Sequence, residues 1–351
     1  MLKIEWRNSA DGSETGNNLG YATMSAQLAR HAARYARILR EPGGDVALFA
    51  CHPAHYDPPR DGTPRALLTM FEHDGPGYDM SVYVEAFERC DLVITPSEFC
   101  RKMFRAYTTK PIEVVPLGVE TDIFTYRKRR WVPGGKTPFR FLFVGAPNVR
   151  KFTILEELFA QLLHPLARAG ICELYMKTTG ADLNRGVAKL IDMGRHVERS
   201  GDVVRGDGYT VDSRLLSRDQ LVELYHSAHA FLFFTAGEGW GLPLCEAAAT
   251  GLPIIASRNT AVTEILNDRT AFLVDCDDRI IQTQRAGEFS AIRETHMTVP
   301  KLEHAAVLVR RVLTDYHAAQ VRGRLASRSM QAYSWDASAR ALVAAIRKHL
   351  A

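Results

Sequence analysis

The sequence predicts an α/β protein of two domains, each a parallel sheet wrapped by helices. Three observations carry this. Short apolar runs alternate with stretches of helical periodicity along most of the chain, the pattern of successive β-α-β units. A basic segment with a Pro-Gly-Gly turn, within 120–138, interrupts the alternation, which restarts at Phe139. The 351 residues, 46% hydrophobic and 24% charged, suffice for two cores of ordinary size.

In order, LKIEW (2–6) reads as a short strand, followed by a polar Gly/Asn/Ser loop ending at Gly20. Helical spacing predicts a helix over 21–39, with Met24, Leu28, Tyr35 and Leu39 apolar and Arg30, Arg34 and Arg37 basic. Strands are predicted at 45–50, 65–71 and 91–97, with a helix across VYVEAFER (82–89) between the last two. A helix over 98–108 and a strand over 111–119 complete the first half. After the basic segment come a strand (139–145), a helix (154–169) and a strand (173–178). The polar region 180–217 shows no periodicity that assigns it. A helix (218–228) leads to strand HAFLFFT (229–235), a glycine-broken corner, and strands at 253–257 and 271–275. Helices are expected from Val299 to the end.

The six cysteines form no C-x-x-C pair and no zinc spacing, which points to reduced core residues. The N-terminal stretch lacks a signal-peptide core, and no run approaches the ~20 apolar residues of a membrane span. A cytoplasmic protein is expected. The formal charge of +4 permits an anionic ligand or surface without demanding one.

The corner, GEGWGLPLCEAAATG (237–251), holds the chemistry. Pro243 suits the first helical position, and Gly251 with Pro253 suits a stop, which predicts a helix over 243–250. Bare amides at its start face the loop 239–242, where Gly239 and Gly241 permit close approach. That is an anion pocket, and phosphate suits it. Glu246, expected in the first turn, either complements the helix dipole or accepts bonds from vicinal ribose hydroxyls. A second carboxylate, Glu238, would repel phosphate unless it faced hydroxyl groups. Ribose, phosphate and sugar in order suggest a nucleotide sugar.

The stretch from Glu238 to Ile254 resembles the E-G-[FW]-G-L-P-x-x-E-A-x-A-x-G-x-P-[VI] signature of glycosyltransferase family 4. Further segments match in order: VITPSEFCRKMF (93–104), IEVVPLGVETDIF (112–124), FLFVGAPNVRK (141–151), LVELYHSAHAFLFFT (221–235) and YSWDASARAL (333–342). The resemblance implies the GT-B fold: two Rossmann-like domains facing a central cleft, with the C-terminal helix crossing back. The N-terminal acceptor domain is then 1–125, completed by 336–351, the linker 126–138, and the donor domain 139–335. It also implies site roles. Glu246 would hold the donor ribose. Glu238 would contact and orient the donor sugar. Gly239, Trp240, Gly241 and Leu242 would touch the distal phosphate or the sugar through their backbone. Arg150 and Lys151 would stabilise the leaving diphosphate. In the other half, Gly20 would approach the donor, and His73 would lie near sugar or acceptor, with Glu72 and Asp74 as competitors and His52 and His55 behind them.

Two positions depart from the family. Ala146 stands where an arginine is usual, so either Arg150 substitutes for it or one charge contact is missing. SRNTAVTE (257–264) replaces a frequent Gly-Gly pair, which bears on the local shape near Asn259.

The activity implied is retaining transfer from a nucleotide sugar to a hydroxyl acceptor by front-face displacement. No cofactor or metal is required, and the D-x-D triplet at Asp275–Asp277 is read as a surface loop. The alternatives are a sugar-nucleotide epimerase on the same fold, or a binding subunit without turnover. The acceptor is left open among a saccharide, a lipid-linked saccharide and a modified nucleobase. Basic residues on 21–39, at Arg101-Lys102-Arg105 and in YRKRRW (126–131) read as solvated faces and linker, with peripheral contact to an anionic surface as the alternative.

Overall fold

The structure, a computed structural model, describes residues 1–8, 19–58, 61–72, 79–146, 148, 150–152, 154–178, 197–284 and 292–351. They form two compact units. One gathers the described residues of 1–72, 78–120 and 332–351; the other gathers those of 121–331.

In the first unit, six strands make one sheet: β1 (Lys3–Asn8), β2 (Arg37–Leu39), β3 (Val46–Ala50), β4 (Arg65–Leu68), β5 (Leu92–Thr95) and β6 (Ile112–Val114). Their order is β2-β1-β3-β4-β5-β6, parallel throughout. β3 is apolar and buried along its length, and β4 and β5 are buried apart from the partly exposed Arg65 and apolar apart from Arg65 and Thr95, as central parallel strands require. Three helices follow from the sequence: α1 (Leu19–Ala32), α2 (Ser81–Glu88) and α3 (Glu98–Arg105). The Ser97 hydroxyl caps α3 by accepting from the Cys100 amide at 3.2 Å. One expectation fails here. The helix predicted over 21–39 ends at Ala32, and Arg37–Leu39 form the edge strand β2 instead. Sheet pairing decides it: the Arg37 amide donates to the Leu2 carbonyl at 2.8 Å, and Ile38 lies opposite Ile4. The basic residues of this stretch therefore do not share one helix face.

The second unit holds an eight-stranded sheet. Its strands are β7 (Phe139–Val144), β8 (Cys172–Lys177), β9 (Glu198–Ser200), β10 (Val203–Gly206), β11 (Tyr209–Asp212), β12 (Ala230–Phe233), β13 (Ile254–Ser257) and β14 (Phe272–Val274). The order is β14-β13-β12-β7-β8-β11-β10-β9, parallel from β14 to β11 and antiparallel at β10 and β9. The helices are α4 (Leu155–Leu158) and α5 (His164–Arg168), joined by a π-helical stretch Phe159–Leu163, then α6 (Arg218–Ser227), α7 (Leu242–Ala249), α8 (Val262–Ile265), α9 (Leu302–Thr314) and α10 (Tyr316–Met330). Aromatic side chains fill the core, including Phe139, Phe141, Phe143, Phe159 and Phe234.

The sequence reading missed two features. Residues 198–212 form β9 to β11, and a hairpin of β15 (Cys276–Gln284) and β16 (Ile292–Pro300) precedes the C-terminal helices, which begin at Leu302 rather than Val299. Both are largely polar, so hydrophobic periodicity does not reveal them. The basic run is also not all solvated linker. Arg129 is buried, and its guanidinium donates to Ala228 O, Arg127 O, Thr250 O, Tyr225 O and Thr250 Oγ1.

The last helix, α11 (Trp335–Leu350), belongs to the first unit. Asp336 accepts bonds from Arg34 at 2.9 Å and Tyr35 at 2.6 Å, and the Ser338 hydroxyl donates to Pro116 O at 2.6 Å.

Candidate active site

The second unit's sheet reverses its winding between β7 and β12: β8 lies to one side of β7, and β12 to the other. In open α/β sheets ligands bind beyond the carboxyl ends of the strands at such a reversal. The segments that leave β7 and β12 there carry Arg150 and Lys151 on one side and Thr235 to Gly241 on the other.

These residues meet. The Arg150 guanidinium lies 2.8 Å from Glu238 Oε1, and Lys151 Nζ lies 3.3 Å from the same oxygen. Arg150 also donates to the Thr235 hydroxyl at 3.3 Å and to the Gly237 carbonyl. The side chains are 8%, 15% and 5% exposed for Arg150, Lys151 and Glu238, so this is a buried ion cluster rather than a surface pair. Burial pushes the Glu238 carboxyl up, but the charges of Arg150 and Lys151 outweigh it, and the group sits below its ordinary value. The sequence located all three residues without revealing that they form one cluster.

Beyond Glu238 the chain passes the buried Trp240 and turns at Gly241, whose φ of 109° suits glycine alone. Gly241 precedes the first residue of α7, so Leu242 opens the helix and Pro243 is its second residue. Two expectations change. Proline is not first, and Glu246 is not in the first turn. Glu246 is therefore too deep in the helix to serve chiefly as a dipole partner. Its Oε2 accepts from the Tyr225 hydroxyl at 2.8 Å, and Oε1 lies 4.0 Å from the Arg218 guanidinium. Its side chain is 12% exposed. Burial pushes this carboxyl up to about 7, against the opposing pull of the Tyr225 bond and the Arg218 charge.

On the far side, residues after β13 grip the same loop. The Glu238 amide donates to Thr260 Oγ1 at 2.9 Å, and the Asn259 amide group donates to the Thr235 carbonyl at 2.8 Å. Asp275 pairs with Arg258 at 3.2 Å, and Asp277 with Lys301 at 2.9 Å, so cations already engage both carboxylates of the D-x-D triplet.

Gly20 is the second residue of α1, not the end of a loop, and a Cβ there would meet nothing within 4 Å. His73 and Asp74 lie outside the described residues. His52 accepts from the Ala54 amide at 3.2 Å through Nδ1, at the end of the first unit's β3.

A family model described as "Family 4 Glycosyltransferase in conflict systems" matches residues 83–342. The chain belongs to this family. The matched range includes Arg150, Lys151, Glu238 and Glu246 and leaves out Gly20 and His73. Among curated proteins, this family 4 chain is 30% identical over 165 residues to the MMP alpha-(1->4)-mannosyltransferase of Mycolicibacterium hassiacum, covering 46% of this chain and 34% of that protein. It is 27% identical over 186 residues to the sucrose synthase of Acidithiobacillus caldus, covering 44% and 23%. The matches thus span about a third or less of each relative's length. Among solved structures, sucrose-phosphate synthase from Thermosynechococcus elongatus aligns with a TM-score of 0.62 at 16% identity, over 93% of this chain and 78% of that one. A glycosyltransferase from Rickettsia africae aligns at 0.63 and 11% identity, over 99% and 98%. These likenesses show the fold, which is GT-B.

Proposed function

We propose that the protein is a retaining glycosyltransferase that moves a sugar from a nucleotide-sugar donor to an acceptor hydroxyl. The observation that carries this is the buried Arg150–Glu238–Lys151 cluster at the winding reversal, beside the helix that Gly241 opens. A carboxylate held ionised by two cations suits sugar hydroxyls. Lys151 keeps donors to spare for a diphosphate. Glu246, steadied by Tyr225, accepts from the ribose hydroxyls.

Transfer then proceeds on one face of the sugar. The bond from C1 to the diphosphate oxygen breaks, and the bond from C1 to the acceptor oxygen forms on the same side. The acceptor's proton passes to the leaving diphosphate. The protein supplies position and positive charge rather than a nucleophile. No metal takes part in this scheme. The mannosyltransferase and sucrose synthase relatives favour a saccharide acceptor over a lipid-linked one or a nucleobase.

A thermal-shift screen with UDP, GDP, ADP and their hexose conjugates tests the donor, because a ligand that binds only the folded state raises its stability. One nucleotide series should stabilise the protein. Sugar release should continue in EDTA and should slow at least about tenfold in Lys151→Ala, which loses a charge contact to the developing diphosphate. No stabilisation by any of these ligands would sink the reading.

A further inference from the structure

The turn after β13 carries backbone strain beside the site. Thr260 has a φ of 44°, and among the described residues it is the one non-glycine residue with a positive φ. A β-branched side chain resists that region because its Cβ crowds the backbone. Strain of this kind persists only where the surroundings hold it.

The surroundings here lead to Glu238. Thr260 Oγ1 accepts from the Glu238 amide at 2.9 Å and donates to Asn259 Oδ1 at 3.3 Å. The Ala261 amide donates to the Glu238 carbonyl at 3.3 Å, so both peptide groups of Glu238 are tied to this turn. Asn259 Nδ2 donates to the Thr235 carbonyl and to the Thr298 carbonyl of β16, each at 2.8 Å. The loop Thr235–Glu238 is therefore fixed by Arg150 on one side and by Asn259–Thr260 on the other. A glycine at 260 would adopt the same backbone without strain but would bring no acceptor for the Glu238 amide. The chain keeps the strained residue that has the hydroxyl.

We propose that Thr260, locked by Asn259, is a positioning residue that aims the Glu238 carboxylate at the donor sugar. Its hydroxyl fixes the Glu238 backbone while the two cations fix the side chain. Small errors in such aim reduce turnover more than they reduce binding of the nucleotide part. The proposal rests on Glu238 being a sugar contact, and the experiment separates the two ideas.

Release of nucleoside diphosphate from UDP-, GDP- and ADP-hexoses is measured for the unaltered protein, Glu238→Gln, Thr260→Gly and Thr260→Ser. Affinity for UDP, GDP and ADP is the second readout. Thr260→Gly relieves the strain, so it folds, and it lacks the hydroxyl. The expected result is kcat at least about tenfold lower in Thr260→Gly, with nucleotide affinity within about twofold, and recovery to within about threefold in Thr260→Ser. A merely structural role would lower the melting temperature without this split. Unchanged kcat in Thr260→Gly while Glu238→Gln is slowed overturns the positioning role alone. Equal losses in Thr260→Gly and Thr260→Ser overturn it as well, because the hydroxyl would then be irrelevant. Full activity in Glu238→Gln, or no release by the unaltered protein, overturns the reading beneath it and this inference together.

Discussion

Glu246 sets a conflict between stability and binding. Its carboxyl is pushed from 4.5 up to about 7, chiefly by burial. In the unfolded chain it ionises near its ordinary value. Below pH 4.5 both states hold the proton, and Glu246 costs nothing. As pH rises through the interval, the unfolded state loses its proton first, so the fold loses stability, by up to about 3 kcal/mol from pH 7 upward. The ribose contact in the proposed reading needs the ionised form. Donor affinity should therefore rise between pH 6 and 8 and level off above, while stability falls over the lower part of the range. Glu246→Gln keeps an oxygen for the Tyr225 hydroxyl and removes the ionisation. Its melting temperature should exceed that of the unaltered protein at pH 8 and match it at pH 4.5, and its donor affinity should fall at least about tenfold. Melting curves and titrations at the two pH values check both signs. A variant less stable at pH 8 would show that Glu246 is not a buried acid held at a cost.

Among the elements, the segment 125–131 does more than connect. Arg129 directs its guanidinium at carbonyls at the C-terminal ends of α6 and α7, where the helix dipoles are negative and the last carbonyls lack partners. Burial lowers its pKa to about 10, which leaves it charged at neutral pH. Arg129→Met strands several buried carbonyls at once and should cost about 3–5 kcal/mol in denaturant unfolding; Arg129→Lys restores the charge without the planar fork and should recover part of that. Sequence alone could not separate Arg129 from its exposed neighbours, because its partners lie about a hundred residues away. The same distance hid the ion cluster: Arg150 and Glu238 are 88 residues apart. Strands such as VALFA and AFLF were legible because a parallel strand buried on both faces must be apolar throughout. The hairpin β15–β16 was not, since most of its residues are polar and, among the described side chains, only Met297 and Val299 of β16 reach the core, too few to set an alternating pattern. Motif order located Glu238 and Glu246, and cap chemistry gave α7 to within a residue. The Tyr225 bond and the Thr260 strain are tertiary, and no local pattern announces them.

At the scale of the whole chain, the first unit is completed by its last residues. Residues 332–351 lie beside elements built from residues 1–120, and α11 buries Trp335, Ala339, Leu342, Val343 and Ile346. The register is tight at one point. A Cβ on Gly118 would collide with the backbone of Trp335, and the Val119 amide donates to the Tyr333 carbonyl at 2.9 Å. Backbone cannot yield as a flexible side chain can, so Gly118→Ala should displace α11 and cost about 3 kcal/mol or more. The second unit has its own core and keeps Arg150, Lys151, Glu238 and Glu246. In Gly118→Ala, amide exchange should quicken in β1, α1 and α11 and stay slow in β7, β12 and α7. Affinity for the nucleoside diphosphate identified by the thermal-shift screen should stay within about twofold, because no part of its expected contact set has moved. Transfer to an acceptor should be lost, since the first unit is the expected acceptor half. Simultaneous loss of nucleotide affinity and of protection in β7 and β12 would mean that the two units fold as one cooperative body, and that the donor half depends on the return of the C-terminal helix.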